Sequence, residues 1–362
     1  MNTTDKVIVK CRGREVGAIV LTPQGLCAFE YAPDWIADGF SISPFELPLK
    51  QGVFIARPDP FGGGFGVFDD SLPDGWGMLI LDRYLQTKGV NVRELTILDR
   101  LALVGSTGRG ALEFEPDRSV MTENDFVDFA SLAIDAEKIL ASDTYKGDGI
   151  EEFQRRGGSP GGARPKIFLK ADGTEWLVKF RAAHDPKDIG LTEYRYSLLA
   201  ARCGVEMPRT RLFEGKYFAT ERFHVVSMAG LLCADYRIPS LDYSHIFKVG
   251  AALTRDIEEL KKIFRLMAFN FLIGNKDDHA KNFSFIHTDD GWRFAPAYDI
   301  LPAEGMNGYH STSVNDKITP VDDDLVALAV SSGLDGKEAG RIISEMREIL
   351  KEDSAGSKCR LE

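Results

Sequence analysis

Asn275-Lys-Asp-Asp-His-Ala-Lys-Asn282 follows an apolar stretch, Ile257 to Leu272, in which Leu260, Ile263, Phe264, Met267, Phe271 and Leu272 recur at helical spacing. The octapeptide therefore reads as a short polar loop at the end of a buried helix. Within it, Asp277 and Asn282 follow the pattern Asp-x-x-x-x-Asn. Phosphoryl transfer needs such a pair: a carboxylate to orient the attacking hydroxyl, and a neutral oxygen a few ångströms away to ligate magnesium. Asp and Asn are also common in solvated turns, so the spacing alone is weak. Further on, the strand-like run Phe294-Ala-Pro-Ala-Tyr-Asp-Ile300 brings a second carboxylate, Asp299, which sharpens it.

Upstream, Lys179 ends an apolar strand, Trp176-Leu-Val-Lys-Phe180. Glu193 follows on the next predicted helix, Leu191 to Arg202, where it can pair with that lysine. Ahead of both lies Gly157-Gly-Ser-Pro-Gly-Gly-Ala-Arg-Pro-Lys166. Gly161 and Gly162 permit the close approach by which backbone N–H groups cradle phosphate oxygens, and Arg164 and Lys166 add positive charge. The loop is neither a Walker A motif nor G-x-G-x-x-G, and a flexible linker is its alternative reading. The order carries more than any member: glycine loop, lysine, helix glutamate, hairpin, apolar helix, Asp-x-x-x-x-Asn, then Asp299. That is the order of a protein kinase.

Outward from this core, the first hundred or so residues read as β-rich. Strands are expected around Val7 and Val9, over Val16 to Leu21 and Leu26 to Tyr31, and at Phe54 to Ala56. Phe61-Gly-Gly-Gly-Phe65 is a loop, and Asp69-Asp-Ser-Leu-Pro-Asp-Gly-Trp-Gly77 runs into a helix, Met78 to Leu85. Pro73 and Trp76 are expected to pack the N-terminal domain. A capping box, Thr122-x-x-Asp125, opens a helix carrying Phe126, Phe129, Ala133, Ala136 and Leu140. The polar stretch Ser142 to Gly158 is expected to be a domain boundary. A hairpin over Lys166 to Phe180 and strands at Arg209 to Phe213 and Tyr217 to Phe223 follow; a late helix spans Gly336 to Glu352. The expected domains are 1–115, a β-rich subdomain; 116–150, helix and linker; 151–224, a β-rich lobe; and 225–362, a helical lobe.

The 362 residues carry a net charge of −11, which lacks the overall basic footprint of a protein held mainly by nucleic-acid phosphates and leaves room only for a local basic face. No apolar run approaches the ~20 residues that span a bilayer, and the N-terminus lacks the apolar core of a secretory signal. The five cysteines, Cys11, Cys27, Cys203, Cys233 and Cys359, form no close pair and fit a reducing, cytoplasmic compartment. The six histidines show no H-x-x-x-H spacing. His279, inside the polar loop, either touches a phosphate or braces the loop.

Ser159-Pro-Gly-Gly-Ala-Arg-Pro-Lys166, Asn275 to Asn282 and Ala295-Pro-Ala-Tyr-Asp-Ile-Leu-Pro302 resemble the signature segments of HipA-type serine/threonine kinases, the toxins of bacterial type II toxin–antitoxin modules. Asp70 to Gly77 and Leu103 to Leu112 resemble that family's N-terminal β subdomain. The resemblance implies an α+β, bilobal, protein-kinase-like fold with an extra N-terminal β-rich subdomain. It also implies ATP and Mg²⁺ as cofactors and a protein substrate, such as a tRNA-charging enzyme. By motif, Asp277 is the catalytic aspartate, Asn282 and Asp299 are the magnesium ligands, and Glu193 is the ion-pair partner of Lys179. The ATP-facing set is Gly161, Gly162, Ala163, Arg164, Pro165, Lys166, Lys179, the hinge Glu221-Arg222-Phe223, His279, Lys281, Asn282, Tyr298 and Asp299. Ser159 matches an autophosphorylated serine, although Pro160 restricts its presentation and Arg164 stands where many members carry glutamine. The implied partner is a HipB-like helix-turn-helix antitoxin, with DNA met only through that complex and no membrane. Two alternatives are a small-molecule kinase of related fold and a non-catalytic antitoxin-binding co-repressor. The intact Asp277, Asn282 and Asp299 count against the second.

Overall fold

Buried Val7, Val9 and Cys11 alternate with the more open Lys6, Ile8 and Lys10, which makes the first segment a strand buried on one face. The computed structural model describes residues 3–108, 110–120, 127–157, 161–305 and 308–358. The chain divides into two compact units. One comprises Met1–Leu191, Arg211–Val226 and Gly230–Cys233, and the other Thr192–Thr210, Ser227–Ala229 and Ala234–Glu362.

In the first unit, β1 (Lys6–Cys11), β2 (Arg14–Leu21) and β3 (Cys27–Tyr31) are followed by α1 (Pro33–Asp38) and β4 (Val53–Ile55). Next come α2 (Gly66–Asp69), α3 (Gly75–Thr87), α4 (Ile97–Val104) and β5 (Leu112–Glu115). The strands form one antiparallel sheet in the order β4-β3-β2-β1-β5. Its inner face, with Val9, Val16, Ile19, Phe29 and Tyr31, packs on Trp35, Phe68, Leu98 and Leu101. A capping box starts α4: Thr96 Oγ1 accepts the Asp99 N–H, and the Asp99 carboxylate accepts the Thr96 N–H.

A second core in the same unit joins α5 (Phe129–Ala141) and α6 (Gly149–Gly157) to a four-stranded sheet. Its strands are β6 (Lys166–Ala171), β7 (Thr174–Lys179), β8 (Thr210–Phe213) and β9 (Tyr217–Glu221), in the order β6-β7-β9-β8. The expected hairpin is β6–β7, turning through Asp172 and Gly173. One expectation changes here. Trp76 does not pack the N-terminal sheet; α3 delivers it into the second core, edge-on to Phe153 at 4.9 Å between ring centroids. Within the polar stretch expected to hold a boundary, α6 buries Ile150 and Phe153 in that same core. The expected capping box at 122–125 lies outside the described residues. The cap seen on α5 is Asp128, whose carboxylate accepts the Ser131 N–H at 3.0 Å.

The second unit takes up most of α7 (Ile189–Arg202). The chain passes between the units again at β10 (Val226–Ser227) and α8 (Met228–Leu232). From there it is mainly helical, as expected, with β11 (Leu241–Asp242), α9 (Tyr243–Thr254), α10 (Ile257–Ile273), the hairpin β12 (Ser284–Thr288)–β13 (Gly291–Phe294), β14 (Thr312–Ser313), α11 (Asp322–Ser331) and α12 (Gly336–Lys358). At Gly250, α9 and α10 touch so closely that a Cβ there would lie 2.6 Å from Ile263 Cδ1. Short β14 pairs in parallel with β11, tying a late segment to the start of α9. Among the described residues no helix is long and apolar enough to cross a membrane.

Candidate active site

In the second unit, α10 ends where its apolar spacing ends, and Asn275 begins the polar loop. Asn275 is buried, and its side-chain amide donates to Asn270 Oδ1 at 3.0 Å and to the Asp299 carbonyl at 3.3 Å. The segment carrying Asp299 is thereby stitched to the loop carrying Asp277. Asp277 keeps an exposed carboxylate (63 %), with His279 Nε2 3.9 Å away. His279 caps the short 3₁₀ turn Ala280–Asn282: its Nδ1 accepts the Lys281 N–H at 3.2 Å. Bracing the loop is therefore an observed role for this histidine. Asn282 Nδ2 donates to the Asp277 carbonyl at 2.7 Å, which closes the loop and leaves Oδ1 as an oxygen donor.

Asp299 adopts a left-handed backbone, φ +54°. A non-glycine residue held there stores strain, and such positions gather at functional sites. What holds it is the surrounding structure. Glu259, buried in α10, accepts the Phe294 N–H at 2.7 Å at the end of β13; the Ala297 N–H donates to the Glu206 carbonyl at 2.8 Å. The Tyr298 hydroxyl donates to the Lys281 carbonyl at 2.6 Å, and the Lys281 ammonium lies 4.4 Å from the centre of the Tyr236 ring. Asp277, His279, Lys281, Asn282, Tyr298 and Asp299 are thus one local constellation.

The first unit holds the glycine loop, Lys179 and Glu221 to Phe223. Gly162 is held from α3: its N–H donates to the Asp74 carboxylate, and its carbonyl accepts the Trp76 N–H at 3.0 Å. Gly75, between them, has φ +44°, and a Cβ there would sit 2.7 Å from the Gly162 oxygen and 3.1 Å from Ala163 Cα. Only glycine permits this approach. Lys166 Nζ donates to the Gly161 carbonyl, and Arg164 forms a two-point ion pair with Asp185 at 3.0 and 3.1 Å. In the β6–β7 ladder Lys166 lies directly opposite Lys179, and both are buried. Two like charges on one face of a sheet repel, so beside the glycine loop they form a place suited to a polyanion. Lys179 Nζ also lies 5.6 Å from the Phe218 ring centre. Pro165 takes part through its carbonyl, which accepts the Phe180 N–H at 2.8 Å.

The remaining predicted members divide between the two units. The Arg222 side chain lies over the Phe168 ring at 4.3 Å, pairs with Glu175 and donates to the Gly108 carbonyl. Glu221 closes β9 opposite Trp176, and Phe223 is partly exposed. Glu193 is buried on the part of α7 that belongs to the second unit, whereas Lys179 belongs to the first. Ser159 lies outside the described residues. The sequence reading missed Asp74, Glu259 and Asn275 as organisers. A charged residue on the apolar face of α10, one position before Leu260, was the available signal for Glu259.

A family model described as the HipA-like C-terminal domain matches residues 158–353, and one described as the HipA N-terminal domain matches residues 7–115. The serine/threonine-protein kinase toxin HipA of Shewanella oneidensis is 22% identical over 378 aligned positions, covering 90% of this chain and 82% of that protein. Y4mE of Sinorhizobium fredii is 40% identical over 331, covering 80% and 75%. The solved complex of Shewanella oneidensis HipA with HipB and its operator DNA has a chain that superposes with a TM-score of 0.68 at 19% identity, covering 95% of this chain and 90% of that one. The chain belongs to the HipA kinase family and carries both the N-terminal and the C-terminal domain.

Proposed function

We propose that this protein is an ATP- and Mg²⁺-dependent serine/threonine kinase of the toxin type that phosphorylates a protein substrate. The observation carrying this reading is the closed loop of the second unit: Asn282 bonded to the Asp277 carbonyl, with Asp299 held in a left-handed backbone beside it. The donors suit magnesium, a hard cation that takes oxygen ligands and is held by one or two carboxylates plus substrate phosphates. Among the described residues no group of three or more His, Cys, Asp or Glu could hold a metal ion by itself. An ion shared with nucleotide phosphates needs no such cage. Asn282 Oδ1 and the Asp299 carboxylate would hold Mg²⁺, which when bound neutralises charge on the transferred phosphoryl group.

In this reading each residue keeps a limited task. Asp277 accepts the hydrogen bond of the substrate hydroxyl and orients its oxygen. Lys166, Lys179 and the backbone of Gly161 to Pro165 receive the phosphates. Glu193 would support Lys179, and Glu221 to Phe223 would meet adenine through their backbone. Ser159 would take a phosphate in cis. A tRNA-charging enzyme is the proposed substrate class and the cytoplasm the proposed compartment. The HipB of the Shewanella complex suggests a helix-turn-helix antitoxin as partner, with DNA reached only through it. Incubation of the purified chain with γ-labelled ATP, Mg²⁺ and cell lysate tests the reading. A labelled protein band that EDTA abolishes is expected, and label found only in small molecules would overturn it.

A further inference from the structure

Asp278, next to Asp277, is wholly buried (0 % exposed). Its Oδ1 accepts the Ser311 N–H at 2.8 Å and the Thr312 N–H at 3.3 Å. Its Oδ2 accepts the Tyr243 hydroxyl at 3.2 Å and His310 Nδ1 at 3.0 Å, so the Nδ1–H tautomer faces it. The Asp278 carbonyl accepts the Thr312 hydroxyl. Four donors around one carboxylate saturate its lone pairs. Three of the four come from residues 310–312, in the segment that follows Asp299.

That segment grips the loop at its other end too. The Ala303 N–H donates to the Gly274 carbonyl at 3.1 Å, the Lys276 N–H to the Ala303 carbonyl at 3.3 Å, and Ser311 donates to the Lys276 carbonyl through both its N–H and its hydroxyl. In protein kinases the corresponding segment is often ordered by adding a phosphate that recruits arginines. Here a fixed anion sits on the catalytic loop, and the donors sit on the segment. The polarity is reversed, and the acidic group is part of the chain and not an added one.

We propose that Asp278 is a positioning residue that holds residues 310–312 on the catalytic loop, so that the surface presenting a hydroxyl to Asp277 is assembled without added phosphate. The proposal rests on the kinase reading above. Asp278→Asn replaces one acceptor oxygen with a donor that faces donors, while changing little in size. In that variant the amides of Ser311 and Thr312 should exchange hydrogen at least tenfold faster. Phosphate transfer from ATP should fall at least thirtyfold in kcat, while Mg·ATP affinity by calorimetry stays within twofold. His310→Gln, which keeps an N–H donor, should retain most activity, and His310→Ala should lose about as much as a donor in four implies, several-fold. Phosphatase-treated wild type should lose nothing.

Equal exchange and equal kcat in wild type and Asp278→Asn would overturn the proposal, as would a wild type inactivated by phosphatase. Should Asp278→Asn fail to fold, the comparison of His310→Gln with His310→Ala decides the matter by the same two readouts. A wild type that moves no phosphate, while the variant still loosens Ser311 and Thr312, would remove the kinase reading and leave the brace standing.

Discussion

Asp74 occupies the N-cap position of α3, yet its carboxylate accepts the backbone N–H of Gly162 instead of capping its own helix. A charge-assisted hydrogen bond to a glycine-rich loop offsets part of the backbone entropy lost on ordering that loop. With the Trp76 N–H on the Gly162 carbonyl, the contact has two points and a defined register.

Removing that anchor should be felt at the nucleotide. Asp74→Ala is expected to raise the Kd for Mg·ATP about tenfold, the equivalent of roughly 1.4 kcal/mol. Gly75→Ala should do at least as much, since its Cβ would meet the Gly162 oxygen 2.7 Å away. Calorimetry reads the affinity, and hydrogen exchange at Gly162 reads the loop. Unchanged affinity in both variants would leave the contact with no part in binding.

Asp277→Ala and Asp299→Ala should each abolish phosphate transfer and leave the melting temperature within a few degrees, because both carboxylates sit on polar loops. They should differ in binding. Asp299→Ala is expected to lose tight Mg·ATP binding, whereas Asp277→Ala keeps it. Nucleotide titration separates them, and an Asp299→Ala protein that binds and transfers normally would void the metal assignment.

A phosphate on Ser159 would bring about −1.5 to −2 charges to a loop meant to approach phosphates. Ser159→Asp is therefore expected to weaken ATP binding and relieve toxicity, while Ser159→Ala binds normally. Mass spectrometry after ATP incubation tests the premise: a protein that labels substrate and never carries phosphate on Ser159 has no self-inactivation of this kind.

Arg222 should prove structural. Its guanidinium stacks on Phe168, pairs with Glu175 and supplies the Gly108 carbonyl. Arg222→Ala should cost about 2–4 kcal/mol by stranding that carbonyl and uncovering the ring. Thermal melting should drop while Mg·ATP affinity stays within twofold. The reverse pattern would show that its side chain serves the nucleotide.

Asp242 links stability to pH. Burial pushes its pKa up, but hydrogen bonds from the Ser313 hydroxyl and the Asp316 and Ser244 amides outweigh this and hold it below the ordinary 3.8. A depressed folded value means the charged form binds its partners best. Its contribution is present above the unfolded pKa and disappears as pH falls through the folded one. The gap in melting temperature between wild type and Asp242→Asn should therefore be widest near about pH 7 and shrink below about pH 4. A gap that does not vary with pH would show that the charge contributes nothing.

Local periodicity already determined much of this protein. Alternating Val7, Val9 and Cys11, the helical recurrence from Leu260 to Phe271 and the turn at Asp172-Gly173 each depend on neighbours a few residues away, so the chain states them openly. The Asp-x-x-x-x-Asn loop was legible for the same reason, since both groups lie on one short turn. The destinations were not legible. Trp76 reads as apolar wherever it packs, and only the path of α3 places it against Phe153. Arg222 looks like one more charge beside a strand until Phe168 and Gly108 arrive from elsewhere in the sequence. Asp74 and Asp278 are ordinary carboxylates in their own segments. Their work is decided by which donors reach them, Gly162 in one case and His310, Ser311 and Thr312 in the other, and tertiary packing alone brings those donors within 3 Å or so of an oxygen.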